Sequence, residues 1–215
     1  MNLDQARFFM VEQQIRPWDV LDPKVLELIA ELPRHHFVKP EQQSLAYSDI
    51  ELPLDEGQHM LAPKIEARIL QALDIDPEDS VLEIGTGSGY MTALLASLAK
   101  KVKTLEIFES LQQQAKTRLM AFNNIEFEQG DASQDWPDNC QYDVIVLTGA
   151  CGAVSQAYKD KLNLGGRLFA IVGQSPVMQA MLITRISDHE WLEESLFETD
   201  TTPLINAEPK PSFSL

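Results

Sequence analysis

The stretch from Ser80 to Tyr90 constrains this chain more than any other. Val81-Leu82-Glu83-Ile84 is an apolar run of strand length, Gly85-Thr86-Gly87-Ser88-Gly89 places glycine at alternate positions, and Tyr90 to Ala99 has a helical pattern. A strand that turns so directly into a helix predicts a βα unit, because parallel strands are joined by crossovers that are usually helical. Glycine closes a tight turn and lets the backbone approach a ligand with no Cβ in the way. A plain strand-to-helix turn needs one glycine, so the alternating set points to a ligand. In open α/β sheets ligands bind beyond the carboxyl ends of the strands, where this loop falls.

The rhythm continues downstream. Val102 to Ile107 reads as a strand, Leu111 to Phe122 as a helix, Ile125 to Gln129 as a strand and Tyr142 to Thr148 as the most strand-like run of all. Val154 to Leu162 fits a helix, and Gly165-Gly166 precedes a strand over Arg167 to Val172. Such alternation predicts an α/β fold with a doubly wound, mostly parallel Rossmann-like sheet. Ala180 to Ile186 and Trp191 to Glu198 read as strands that add an antiparallel C-terminal edge. Upstream, Leu3 to Ile15 is loosely helical up to Pro17. Asp22-Pro23 starts a second helix with an N-cap acid and a proline at the first helical position. That helix ends near Pro33, His35 to Gln58 reads as loop, and Pro63 opens a helix that stops at Asp76-Pro77. The expected organisation is one domain over 1–215, with an N-terminal helical, substrate-side region (1–79), a cofactor-binding core (80–173) and C-terminal strands with a tail (174–215). Pro209 to Leu215 reads as a loose tail.

Composition removes several function classes. Asp and Glu number 33 against 17 Lys and Arg, a formal charge of −16. Nucleic-acid affinity rests on cations that neutralise phosphates, so no nucleic-acid partner is expected. Met1 to Met10 lacks the basic segment and apolar stretch of a signal peptide, and no run approaches the ~20 apolar residues of a membrane span. Cys140 and Cys151 are too few for a disulfide framework and lack metal-ligand spacing. A cytoplasmic protein with no membrane partner and no metal is expected.

Two common glycine-loop ligands fail on spacing. The dinucleotide fingerprint needs a further glycine where Tyr90 stands, and the phosphate loop ending in Gly-Lys-Ser/Thr is absent. What remains, Glu83-x-Gly85-x-Gly87-x-Gly89, resembles the first motif of class I S-adenosylmethionine-dependent methyltransferases. Glu106, at the end of the next strand, can accept hydrogen bonds from both ribose hydroxyls, as the acid of a dinucleotide fold does. The resemblance implies S-adenosylmethionine as cofactor, S-adenosylhomocysteine as product, and a site made by Glu83, Gly85, Thr86, Gly87, Ser88, Gly89, Tyr90, Glu106 and Ile107. It adds Asp131 and Ala132 near the adenine, and Thr148 facing the methionine end.

A closer resemblance runs through most of the chain. Met10-Val11-Glu12-Gln13, Pro33-Arg34-His35-His36-Phe37-Val38, Ala46-Tyr47-Ser48-Asp49, Leu52-Pro53-Leu54 with Gly57-Gln58, Ala62-Pro63, and Thr202-Pro203-Leu204 are similar, in the same order, to segments of protein-L-isoaspartate O-methyltransferases. The family has Pro-Arg-His-x-Phe-Val, Ala-Tyr-x-Asp, Gly-Gln-Thr-Ile-Ser and, near its end, Val-Pro-Leu. The resemblance implies methylation of the carboxylate of L-isoaspartyl residues in damaged proteins. It also places acceptor binding at His59, Met60, Leu61 and Lys64.

Here the sequence departs from the family. His59-Met60-Leu61 replaces Thr-Ile-Ser, so Leu61 stands where the serine contacts the substrate carboxylate, and Lys64 replaces a histidine. No residue is therefore assigned as catalytic. Two alternatives follow: the same fold and cofactor with another acceptor, or a cofactor-binding protein with little catalysis. The expected partner is an isoaspartyl protein or peptide, and the expected state is a monomer.

Overall fold

The computed structural model describes residues 2–208; the Pro209–Leu215 segment read as a tail lies outside them. The N-terminal third wraps one side of the domain. Helix α1 (Leu3–Met10) passes into a wider π turn at Val11–Ile15 and a 3-10 turn at Arg16–Trp18. Helical backbone thus runs without a break over Leu3 to Ile15, as the spacing predicts, and ends because Pro17 supplies no N–H and Asp19 leaves in the left-handed region at φ 58°. Helix α2 (Pro23–Glu31) starts as its sequence dictates, with the Asp22 carboxylate accepting the Lys24 N–H at 2.8 Å. The stretch read as loop contains 3-10 turns and β1 (Leu52–Pro53), which pairs antiparallel with β2 (His59–Met60) just beyond it. Helix α3 (Pro63–Leu73) follows.

The core then alternates: β3 (Ser80–Ile84), α4 (Tyr90–Leu98), β4 (Lys101–Glu106), α5 (Glu109–Arg118), β5 (Ile125–Gln129), β6 (Tyr142–Cys151), α6 (Gln156–Asp160) and β7 (Leu162–Gln174). It ends in β8 (Val177–Ser187) and β9 (Glu190–Thr199). These form a 7-stranded sheet in the order β5-β4-β3-β6-β7-β8-β9. β5, β4, β3, β6 and β7 pair in parallel, and β8 and β9 add the antiparallel edge. The order reverses between β3 and β6, which makes their carboxyl ends the switch point where such sheets take ligands.

β3 is buried along its whole length, as a central strand covered on both faces must be. Strand periodicity divides the core. Val81, Val102, Val144, Val146, Phe169 and Ile171 pack with α2, α3 and α4 on one side. Leu82, Ile84, Leu105, Ile145, Leu147 and Leu168 pack on the other with Tyr158 of α6. Among the described residues no helix is long and apolar enough to cross a membrane.

Candidate active site

The glycine loop is tied down before any ligand is considered. The N–H groups of Gly85 and Thr86 donate to the Leu105 carbonyl of β4 at 2.8 and 3.2 Å. This holds the turn beyond the sheet's carboxyl edge. Thr148 of β6 reaches across, its hydroxyl within hydrogen-bond distance of the Ile84 and Gly85 carbonyls at 2.9 and 2.6 Å. Only glycine fits at 85: φ is 99°, and a Cβ would lie 2.4 Å from Thr148 Oγ1. At Gly87 (φ 52°) the N–H donates to Glu106 Oε2 at 2.8 Å, and the Phe108 N–H donates to Oε1 at 3.1 Å.

These contacts border a cleft at the carboxyl edge of β3, β4 and β6, the place where open α/β sheets take ligands. Ile107, Phe108 and Ala132 give it apolar walls and Glu106 an acceptor edge. Burial pushes the Glu106 carboxyl upward, while the Gly87 and Phe108 N–H groups favour its charged form. Asp131 lies at the far side. Burial would raise its pKa, but the Ser133 N–H (2.9 Å) and the Asn206 amide (2.8 Å) outweigh that and hold it below the usual carboxylate range. Flat apolar walls beside a carboxylate that keeps lone pairs for vicinal hydroxyls fit a nucleoside cofactor by the chemistry of the donor set.

A smaller recess opens from the same place and shares Leu54, His59, Gly85, Gly87 and Thr148 with the cleft. The β1–β2 hairpin builds its outer wall, with Leu52 opposite Met60 and Pro53 opposite His59. Met60, Leu61 and Met91 make it largely apolar, and Thr86, Ser88 and Glu66 also line it. Behind Leu61 lies Arg34, fully buried. Its guanidinium bonds the Glu66 carboxylate and donates to the Leu61 carbonyl at 2.5 Å, 5.0 Å above the Tyr90 ring centroid. Burial pushes the Glu66 carboxyl up to about 7 against the opposing pull of Arg34.

Gly85, Gly87, Glu106, Ile107, Asp131, Ala132 and Thr148 line the cleft. Thr86, Ser88, Met60 and Leu61 line only the recess, and His59 lines both. Four assigned residues lie elsewhere. Glu83 has no solvent exposure and accepts from the Thr92 and Thr104 hydroxyls, both at 2.6 Å. Alternation along β3 puts it on the face opposite Ile84, which lines the cleft. Tyr90 is buried, its ring edge-on to Phe37 at 5.2 Å. Gly89, at φ 84°, lets the start of α4 close on Ala115 and Leu119. Lys64 turns away, bonded to Asp49 at 2.7 Å with its ammonium 4.1 Å from the centre of the Trp18 ring.

The sequence reading did not assign Arg34 or Glu66 to the site, nor the segment Thr201–Ile205 that lines the cleft. Arg34 lies in the Pro-Arg-His-x-Phe-Val stretch and Thr202-Pro203-Leu204 in a motif already noted. Neither carries a local sign that it lies near the glycine loop.

Comparisons with known proteins agree with this architecture. A family profile for protein-L-isoaspartate(D-aspartate) O-methyltransferase (PCMT) matches residues 7–208. The protein-L-isoaspartate O-methyltransferase of Synechococcus sp. (strain JA-2-3B'a(2-13)) is 38% identical over 204 residues, 91% of this chain and 84% of that one. The protein-L-isoaspartate O-methyltransferase 1 of Geotalea uraniireducens is 36% identical over 209 residues, 96% and 95% of the two chains. Among solved structures, a protein-L-isoaspartate O-methyltransferase superposes with a TM-score of 0.79 at 23% identity, over 94% of this chain and 65% of that longer one. A candidate protein-L-isoaspartate O-methyltransferase of Plasmodium falciparum, in complex with S-adenosyl-L-homocysteine, gives 0.77 at 18% identity over 95% and 98%. On the family match and these identities, the chain belongs to the protein-L-isoaspartate O-methyltransferase family.

Proposed function

We propose that this chain transfers a methyl group from S-adenosylmethionine to the free carboxylate of L-isoaspartyl residues in peptides and damaged proteins. The observation that carries this reading is the junction of the two cavities at His59, Gly85, Gly87 and Thr148. It offers a cofactor cleft and an acceptor recess a common wall. When bound, the cofactor supplies an electrophilic methyl group on a sulfonium centre. Glu106 would accept the ribose hydroxyls, Ile107 and Ala132 would flank the adenine near Asp131, and Gly85 and Gly87 would let the backbone approach.

An isoaspartyl carboxylate is ionised at neutral pH, so the nucleophile needs no general base. The protein's contribution is then proximity, line of approach and exclusion of water. The recess supplies these through the buried side chains of Met60 and Leu61. We assign the activity to a monomer in the cytoplasm: residues of one chain line both cavities, and Cys140 and Cys151 are free thiols.

The test is transfer of labelled methyl from S-adenosylmethionine to an isoaspartyl peptide, with the aspartyl peptide as control. Base-labile label on the isoaspartyl peptide alone is expected. Cofactor binding without transfer would instead favour another acceptor for the Met60–Leu61 recess. By calorimetry, Glu106→Ala should weaken S-adenosylhomocysteine binding about tenfold to a hundredfold, as befits loss of hydrogen bonds to a charged group. Undiminished binding would remove Glu106 from the site.

A further inference from the structure

We propose that His59, oriented by Thr202, is the residue that binds the acceptor carboxylate, in place of the serine hydroxyl that Leu61 removes. The proposal rests on the function argued above and names the recognition element of its acceptor site. Two departures from the family pattern meet here. Histidine replaces threonine at 59, threonine replaces valine at 202, and the two side chains are hydrogen-bonded, Oγ1 to Nδ1, at 2.9 Å.

Both partners are held from behind. His59 pairs with Pro53 in the β1–β2 hairpin. The Thr202 carbonyl accepts the Ala150 N–H at 3.1 Å, and the Leu204 N–H returns to the Ala150 carbonyl at 2.8 Å. The anion-binding role belongs to the tautomer in which the Thr202 hydroxyl donates to Nδ1 and the ring's proton is on Nε2, which leaves an N–H donor for an anion.

A count of donors leaves few rivals. Thr148's hydroxyl hydrogen is taken up by the Ile84 and Gly85 carbonyls. Thr104's goes to Glu83, so Thr86's goes to Thr104, 2.7 Å away. Glu66 is a carboxylate already engaged by Arg34, and Leu54, Met60, Leu61 and Met91 have no polar hydrogens on their side chains. Lys64, the nearby cation, is turned toward Asp49 and Trp18. Two side-chain donors remain on the recess, the His59 ring and the Ser88 hydroxyl. Only His59 also borders the cleft, so only His59 stands where a carboxylate would meet a methyl donor.

The test measures isoaspartyl peptide binding to the S-adenosylhomocysteine-loaded protein by calorimetry, alongside methyl transfer. His59→Ala should weaken peptide binding and raise the peptide KM about tenfold or more, a larger loss than any in S-adenosylhomocysteine affinity, with the melting temperature little changed. His59→Gln, which keeps an N–H donor, should recover part of the loss. Thr202→Val should cost a few-fold, Thr202→Ser should restore it, and Thr202→Val should add nothing to His59→Ala. Peptide binding through His59 without transfer would sink the repair function and leave the recognition assignment standing. Unchanged peptide affinity in His59→Ala, a loss confined to Ser88→Ala, or no peptide binding by the wild type would overturn it.

Discussion

Glu83 lies in the middle of β3 with no solvent contact, Oε2 held by two threonine hydroxyls and Oε1 without a partner. Burial, offset only in part by those hydroxyls, pushes its carboxyl up to about 8 from 4.5. The folded state therefore holds a proton that the unfolded chain releases. Stability from this group is intact below pH 4.5 and is lost as pH rises toward 8. Glu83→Gln removes the titration and fills the Oε1 position with a neutral amide. Its melting temperature should match the wild type near pH 4.5 and exceed it increasingly up to pH 8; a difference independent of pH would refute this. The same residue shows why its role was illegible. Where a strand is apolar on both faces there is no alternation to reveal which way an acid points, and the glycine motif beside it suggested the ligand. The place of Glu106 on the cleft was legible because a strand's last residue lies at the sheet's carboxyl edge whichever face it occupies.

At the scale of elements, β3, the glycine loop and α4 could be read directly, since each contact that shapes the turn is local or reaches a neighbouring strand. The acceptor wall could not. Its backbone is fixed by Arg34, which arrives from a 3-10 turn and meets Glu66 on α3 and the Leu61 carbonyl behind β2. A charge pair formed across such separations leaves no periodicity, and a buried arginine looks like any other in the sequence. Arg34→Met would strand the Glu66 carboxylate in the core, which typically costs about 3–5 kcal/mol. At ~2–4 °C per kcal/mol for a chain of this size, the melting temperature should fall on the order of ten degrees. Adding Glu66→Leu should recover most of that, because replacing both charges with apolar groups is far less costly than orphaning one. Thermal melts of the single and double variants check it, and an additive double variant would show that the pair is not coupled.

Across the whole molecule, the end of the described chain closes the site that its first third opens. Thr201 to Ile205 line the cleft, and the segment from Thr201 to Ala207 is fastened to four regions: Thr201 to Glu51, Thr202 to His59, Asn206 to Asp131, and Ala207 to Gly152. Nothing in its composition announces this, because a strap fastened by scattered hydrogen bonds has neither strand nor helix rhythm. Leu204 is its apolar contact. It lies against Gly149, where a Cβ would be 3.0 Å from the leucine side chain, and it lines the cleft beside Gly85. Truncating it would loosen the strap over a bound nucleoside without touching the Glu106 edge. Loss of part of a leucine's packing is worth a kcal/mol or two, so dissociation should quicken about tenfold. Association depends on reaching an open mouth and should change far less, since related complexes differ mainly in their off-rates. Stopped-flow measurement of S-adenosylhomocysteine release from Leu204→Ala decides the point: an unchanged off-rate would mean that the strap covers the cleft without retaining what it holds.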